Sequence, residues 1–549
     1  MFDYIIIGAG SAGCVLANRL SADPSVKVLL LEAGPRDWHP YIHMPAGLAK
    51  LVGKKGVNWD YSTVPEPHLN QRALWWPRGR VLGGSSSINA MCYIRGVPAD
   101  YDDWAAHGAD GWDWDSVLPY FRRSEHNQRG SDALHGGDGP LHVSDLRYSN
   151  PLSHAFIAAG QQAGYAANPD FNGPQQQGFG LYQVTQKDGA RCSSAVAYLN
   201  PVRGRANLTV ITGAQVGRIT FDAHAAGGRR ANGVVYTAHG KAYHQPAARE
   251  VLLSGGAINS PQLLMLSGIG PAAQLRRHGI DVVADAPQVG ENLQDHLDIC
   301  TLRHSTQPVT YDRVSDLKIA FDYYLRGHRG AGSSNIAEAG AFVRSRHAPD
   351  ARADIQMHFV PAMLEDHGRH RLEGDGYTLH ACFLRPRSRG RVGLVSAQAA
   401  DKARIEANYL SDAEGFDLKM MVECARLARE VFAQPAFDAY RGAPIFPARD
   451  DLSDDELVEF IRAKAETVYH PVGTCRRARA VGCRPRTRPW IRSAARSAII
   501  IVGALVLPPI SVGITDASTT RKPSMPRTRS CVSTTDRSSL PMRQVPTGW

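Results

Sequence analysis

The run Phe2-Asp3-Tyr4-Ile5-Ile6-Ile7-Gly8-Ala9-Gly10-Ser11-Ala12-Gly13-Cys14-Val15-Leu16-Ala17 decides how the rest of the chain is read. Tyr4 to Ile7 is continuously apolar, as expected of a parallel strand buried on both faces. It runs into a G-x-G-x-x-G turn, and Cys14, Val15, Leu16, Ala17 and Leu20 then predict a helix. The free N–H groups and positive dipole end of such a helix suit a pyrophosphate. Gly8 allows the tight turn, Gly10 lets the backbone approach a phosphate, and Gly13 lets helix and strand pack closely. A second strand, Val26 to Leu31, ends at Glu32, about 20 residues on, where a carboxylate can accept from a ribose diol. Strand, turn, helix, strand and acid together predict a dinucleotide-binding unit in an α/β fold, without choosing between nicotinamide and flavin dinucleotides.

The chain has 549 residues, 43% apolar and 21% charged, enough for a large core and more than one domain. Nine scattered cysteines without a C-x-x-C pair suggest neither a disulfide framework nor a zinc site, so a reducing compartment is expected. Met1 leads straight into strand-like sequence with no basic region or cleavage site, so no secretory signal is visible. The expected location is cytoplasmic, with association at the inner face of the membrane left open. The net charge of +10 invites a nucleic-acid reading, but residues 477–549 carry twelve Arg and one Lys against Asp516 and Asp536. The main body is therefore close to neutral, and no nucleic-acid partner is expected. The apolar run Ala498 to Leu507 is too short for a spanning helix, which needs about 20 residues.

Later segments choose the flavin. Residues 78–91 read Arg-Gly-Arg-Val-Leu-Gly-Gly-Ser-Ser-Ser-Ile-Asn-Ala-Met, a loop of glycines and small hydroxyls able to turn its amides toward a bulky ligand. Residues 248–271 read as strand, glycine turn and helix, with Ser260 as N-cap, Pro261 at the first helical position and Gly268 just past the end. Val289-Gly290-Glu291-Asn292-Leu293-Gln294-Asp295-His296 and His470-Pro471-Val472-Gly473-Thr474-Cys475 follow in order. With the first turn, these five ordered motifs closely resemble the glucose-methanol-choline (GMC) oxidoreductase family over about residues 1–476. The likeness is greatest to its bacterial choline dehydrogenase and alcohol dehydrogenase branch.

The resemblance implies a Rossmann-like FAD-binding domain of discontinuous segments, 1–150, 207–305 and 465–549. It also implies an α+β substrate domain with an antiparallel sheet, 151–206 and 306–464. Gly8, Gly10, Ser11, Ala12, Gly13, Glu32 and Ala33 would hold the adenosine diphosphate half of FAD. Val81, Gly83, Gly84, Ser85, Asn89, Ala90 and Met91 would line the pyrophosphate and isoalloxazine, with Gly255 at the second glycine turn. Val216, after the strand-like Leu208 to Thr212, falls where relatives read adenine with the backbone. Members with covalent flavin carry a His where this chain has Ile88, so the resemblance implies non-covalent FAD. No second dinucleotide fingerprint follows, which points to an external electron acceptor: a quinone, another carrier or oxygen.

Ser453-Asp454-Asp455-Glu456 is a capping box opening a helix that leads to His470-Pro471. Hydride can leave an alcohol carbon only as the hydroxyl proton is removed, so a base near neutrality is required beside the flavin. His470 resembles the family's base. His296 is read as packing beneath the flavin site rather than chemistry. Asp138, His142, Trp104, Trp112 and Trp114 are read as core or lid residues. Asn335 and Glu338 are candidates for shaping the pocket, and Tyr323, Tyr324, Phe342, Phe359 and Glu338 could supply a cage for a choline-like cation. The expected activity is oxidation of a primary alcohol, choline-like, aliphatic or aromatic, to its aldehyde.

After Cys475 the chain departs from the family. The Val-Asp-Pro and Asn-Thr-Asn segments are absent, and the family's spacing puts the partner of the catalytic base at Ile514, whose side chain cannot hydrogen-bond. Asp516-Ala517-Ser518 spells a family segment but lies too late in the chain. Residues 477–549 also contain no Glu, Phe or Tyr. The hypothesis is a reading-frame shift after Arg476, since Pro489-Trp490-Ile491-Arg492-Ser493 can be encoded so that a shifted frame reads Val-Asp-Pro-Gln. Resequencing codons 470 to 549 tests it: a confirmed frame with no family-like continuation in the alternatives overturns it. The rival expectations are a genuine basic terminus and, functionally, a flavin-binding relative with impaired or no catalysis.

Overall fold

The computed structural model describes residues 1–475 apart from 52, 223–229, 313 and 371. The basic tail, with Ile514, Asp516-Ala517-Ser518 and the 498–507 run, lies outside the described residues. The chain begins with β1 (Phe2–Ile7), α1 (Ser11–Leu20) and β2 (Val28–Glu32). Tyr4 and Ile6 of β1 pack with Cys14, Val15 and Ala17 of α1, while Ile5 and Ile7 face a second core on the other side. Both faces are thus covered, which is why the apolar run does not alternate. Gly8 sits at φ +93°, where a Cβ would lie 2.6 Å from the Ser254 carbonyl oxygen. A Cβ on Gly13 would lie 1.8 Å from the Gly8 carbonyl oxygen, so helix and turn touch backbone to backbone.

The chain then leaves this sheet and contributes α2 (Pro151–Gln162) and β3 (Gly178–Leu181) to a different layer. It returns with β4 (Leu208–Thr212), β5 (Ala214–Phe221), β6 (Ala231–Ala238) and the long β7 (Lys241–Leu253). The strand order is β4-β2-β1-β7-β6-β5. β4, β2, β1 and the end of β7 run parallel, whereas the start of β7 pairs antiparallel with β6. One strand therefore joins a parallel nucleotide-binding sheet to an antiparallel meander that covers its face.

α3 (Gly256–Leu266) follows the glycine turn after β7, with Gly255 as its N-cap. This corrects the expectation that Ser260 caps the helix and Pro261 opens it: Pro261 lies inside α3. A proline there cannot bond the carbonyl four residues back. That carbonyl, Ala257 O, instead accepts from the Thr474 hydroxyl at 2.5 Å, so a residue of the His470 motif completes the helix.

The second layer is an antiparallel sheet built from β8 (Leu297–Ser305), β9 (Ala339–Val343), β10 (Ile355–Val360), β11 (Gly376–Phe383) and β12 (Arg441–Phe446), with α4 (Asp316–Leu325) between β8 and β9. Its order is β12-β8-β11-β10-β9-β3. α5 (Phe416–Phe432) packs beside α2 over a core in which Phe156, Phe179, Phe359, Tyr377, Phe432 and Phe437 meet ring against ring. Each fully buried ring of this kind contributes roughly 1.5–3 kcal/mol. α6 (Asp454–Lys464) is capped by Ser453 and Glu456 in the expected reciprocal manner, and β13 (Glu466–Thr467) follows it and pairs with the start of β8. Trp104, Trp112 and Trp114 form a satellite cluster with Tyr101 and Phe121. Among the described residues no helix is long and apolar enough to cross a membrane.

Candidate active site

At the nucleotide end, Glu32 is the last residue of β2 and is buried. Its two carboxylate oxygens accept from Ala9 N at 2.8 Å and Gly34 N at 2.9 Å. Burial pushes this carboxyl up to about 6 despite both N–H groups. Each oxygen keeps a lone pair for a ribose hydroxyl. No side chain caps α1, whose N-cap is Gly10, so its amino end is left for another partner. The second glycine loop faces it: a Cβ on Gly84 would stand 2.7 Å from the Gly10 Cα. Only two side-chain-free backbones can approach in this way.

Arg191, buried and far away in sequence, holds that loop in place. It donates to Ile42 O, Ser86 O, Asn89 O and Asn89 Oδ1, three of these bonds lying between 2.7 and 2.8 Å. Burial lowers its pKa to about 9. Met91, at the end of the loop, takes φ +60°, a left-handed conformation uncommon for a side-chain-bearing residue.

A cavity of about 650 Å³ runs from the amino end of α1 to His470. That is within the range of small-molecule sites, roughly 300–1,000 Å³. Ser11, Ala12, Ser85, Asn89, Ala90 and Met91 line it. Gly8, Gly10, Gly13, Glu32, Ala33, Val81, Gly83, Gly84, Val216 and Gly255 stand behind or beyond its wall. Val216 is a buried residue of β5, packed in the core that holds Ile5 and Leu29. Ser194 Oγ, Ser254 Oγ and Asn335 Oδ1 are buried along the cavity without a hydrogen-bond partner. The facing glycine loops, the uncapped helix and these three orphaned oxygens fit a large polar cofactor such as FAD.

At the other end, the ladder between residues 294–298 and 466–472 brings two sequence motifs together. Asp298 pairs with Glu466, Leu297 with Thr467, and Gln294 with Val472. This register sets His296 beside His470, ring against ring at 85° and with their Nδ1 atoms 3.1 Å apart. His296 is therefore in direct contact with the expected base; the two lie 174 residues apart, so no local pattern reports the contact.

The hydrogen bonds set the tautomers. His296 Nε2 lies 3.0 Å from the Leu384 carbonyl oxygen, which can only accept. Nε2 of His296 therefore carries the proton and its Nδ1 accepts from His470 Nδ1–H. That leaves His470 Nε2 as a proton-free lone pair. Burial, reinforced by His296, His358 and Arg78, holds the His470 pKa well below its ordinary value. Asp295 accepts the His470 backbone N–H at 2.9 Å and the Thr467 hydroxyl at 2.6 Å, and also receives the Tyr409 hydroxyl. Burial pushes its own carboxyl up to about 6.

The remaining expectations divide. Asn335 lines the cavity and donates to Ala90 O at 2.8 Å, tying the stretch before β9 to the second glycine loop. Glu338 does not line it: its carboxylate accepts from Asn150 N, Ser153, Ser334 and Tyr311, bracing the start of α2. Tyr323 is buried against His328, Tyr324 is exposed, and Phe342 and Phe359 belong to cores. These five residues form no cage around the cavity. That end of the cavity is lined instead by Ile336, Val360, Met363 and Leu364 together with Tyr311, Asp312, His358 and Tyr469, an apolar wall with polar groups set into it. A cross-strand row, Cys300–His380–His358, crosses the sheet beside it, with His380 Nδ1 2.6 Å from Asp298 Oδ2.

Two family models described as GMC oxidoreductase match the chain, the N-terminal one over residues 2–298 and the C-terminal one over 386–486. The chain is 48% identical to an alcohol dehydrogenase (acceptor) of Pseudomonas putida over 530 residues, 94% of each protein. It is 45% identical to the mitochondrial choline dehydrogenase of Mus musculus, over 87% of this chain and 81% of that one. It is 44% identical to an oxygen-dependent choline dehydrogenase of Brucella ovis, over 86% and 85%. Among solved structures, pyridoxine 4-oxidase from Mesorbium loti superposes with a TM-score of 0.77 at 31% identity, covering 87% of this chain and 89% of that one. A formate oxidase superposes at 0.79 and 27% identity, covering 86% and 88%. With its glycine turn, second glycine loop and His470 turn gathered on one cavity, this chain belongs to the FAD-dependent GMC oxidoreductases.

Proposed function

We propose that the protein oxidises a primary alcohol with an apolar chain to its aldehyde and passes the electrons to an external acceptor. The observation that supports this reading is that one continuous cavity joins the amino end of α1 to His470. FAD, when bound, would supply the hydride acceptor. Ser11, Ala12 and the uncapped end of α1 would take its pyrophosphate, and the 83–91 loop, braced by Arg191, would hold its ring system. Ile88 stands where a covalent attachment would need a nucleophile, which supports non-covalent binding. His470 Nε2 accepts the hydroxyl proton as the carbon–hydrogen bond breaks, the hydride leaves with its electron pair, and the aldehyde forms. His296 fixes the ring so that this nitrogen is free, and Asp295 holds the backbone of the His470 turn.

The dispersal of the cage candidates supports an uncharged alcohol over a choline-like cation, with Ile336, Val360 and Leu364 as the apolar part of a wall that also holds Tyr311 and Asp312. The identity to dehydrogenases over most of the chain favours an active enzyme over an impaired flavin-binding relative. The test is the visible spectrum of the purified protein under anaerobic titration with aliphatic and aromatic primary alcohols and with choline. Bleaching by the apolar alcohols at lower concentration than by choline is the expected result. Bleaching by choline alone overturns the substrate class, and a flavin band that no alcohol bleaches overturns the activity.

A further inference from the structure

Helix α4 turns apolar side chains to the outside. Leu317 is 83% exposed, Phe321 65%, Tyr324 50% and Leu325 67%. They recur at the spacing of one helical face, while Tyr323 on the other side is buried. Nine large apolar side chains are exposed among the described residues, and four of them lie on these ten residues. A stripe this concentrated marks a surface that meets something other than water.

Its surroundings are cationic. Lys318, Arg326 and Arg329 are exposed on or just past the helix, and Lys54 and Lys55 are exposed on the stretch 53–56. The two stretches meet the same turn: the Tyr323 hydroxyl donates to His43 O at 3.5 Å, and Lys54 Nζ lies 2.7 Å from His39 Nε2. Two acids nearby are each already paired with an arginine: Asp322 with Arg326 at 3.6 Å, and Asp188 with Arg147, which also donates to Gly327 O just past the helix. Leucine and phenylalanine on one face with lysine and arginine at its margins is the chemistry of a helix lying in the interface of an anionic bilayer.

We propose that α4 and the 53–56 stretch dock the protein on an anionic phospholipid surface, with the cavity mouth held at headgroup level. A second copy of the chain is the weaker occupant. Four side chains of a ten-residue helix, about 15 Å long, fall well short of the roughly 1,200–2,000 Å² that a stable interface buries. Docked this way, an apolar alcohol or acceptor dissolved in the bilayer enters beside Ile319 without crossing water. That consequence rests on the proposed function; the docking itself does not.

The test is co-sedimentation of the full-length, FAD-loaded protein with vesicles of phosphatidylcholine alone and with one third phosphatidylglycerol. The basic tail attracts anionic vesicles too, so the decisive comparison keeps it: Leu317→Gln/Phe321→Gln/Leu325→Gln in the full chain, with every charge retained. The expected result is at least about tenfold weaker binding to the anionic vesicles, with flavin absorption and melting temperature unchanged because the three side chains are exposed. Lys54→Glu/Lys55→Glu is expected to weaken binding most at low salt. Equal binding by the triple variant, or no binding by the wild type, overturns the proposal. A wild-type dimer that the triple variant converts to monomer does so as well, and names a second copy as the occupant. None of these readouts involves turnover, so failure of the docking and failure of the catalytic reading are separable.

Discussion

His470, the proposed base, owes its free Nε2 to two neighbours rather than to its own position in the sequence. The carbonyl of Leu384 sets the tautomer of His296, and His296 sets that of His470. His470→Ala is therefore expected to lower kcat by about 10²–10⁴-fold while leaving FAD content unchanged, measured by steady-state turnover and flavin absorbance. The pH dependence follows from the direction of the His470 shift. The base works in its neutral form, so activity is present above its pKa and lost as pH falls through it. With that pKa held well below 6.5, the acid limb of kcat/KM lies well below pH 6.5. His296 is a positioning residue, and His296→Leu removes both the tautomer lock and one contribution that lowers the His470 pKa. Turnover at pH 8 is expected to fall on the order of tenfold, and the acid limb to move upward. An unmoved limb in a folded, FAD-loaded variant would reduce His296 to packing.

At the scale of elements, the site is made where pieces from different parts of the chain complete one another. α3 contains Pro261, and the Thr474 hydroxyl meets the Ala257 carbonyl that the proline leaves open. Thr474→Val keeps the shape and removes the bond. Leaving that partly buried carbonyl unsatisfied is expected to cost about 1–3 kcal/mol, seen as a lower denaturation midpoint, together with a fall in kcat because the His470 turn loses its anchor. The two glycine loops make a similar point. Gly84→Ala drives a Cβ to within 2.7 Å of the Gly10 Cα at a positive φ, so the purified variant is expected to carry far less FAD than the wild type.

Over the whole molecule, the two sheets are not independent bodies that happen to share a cavity. Arg191 reaches from the 190s to the flavin loop, Asn335 from the antiparallel layer to Ala90, and the 466–472 stretch runs along the start of β8. FAD that binds only the folded chain should stabilise all of it together, by about 2.7 kcal/mol at one hundred times its Kd. A single thermal transition that moves upward with added FAD, followed by both tryptophan fluorescence and circular dichroism, is the expected outcome. Two transitions of which only one responds would mean that the layers unfold separately.

The nucleotide-binding strand, turn and helix were legible in residues 2–20 because each rests on local causes. A doubly buried strand must be continuously apolar, Gly8 must take a positive φ, and Gly13 has no room for a Cβ. The capping box at Ser453 was legible for the same reason. The start of α3 was misread because Pro261 is usually a first-turn residue, and only a contact from Thr474, more than two hundred residues away, makes it tolerable inside the helix. His296 could not be recognised as the neighbour of His470, nor Arg191 as the brace of the flavin loop, since pairing across 174 and about 102 positions leaves no periodicity in the chain. The sequence by itself determined the motifs and the class of cofactor and singled out His470 as the candidate base, because these depend on residue type and short spacing. Tertiary structure alone decided which nitrogen of that base is free, which residues wall the substrate and which helix faces outward, because each depends on strand register and on contacts that close only when the chain folds.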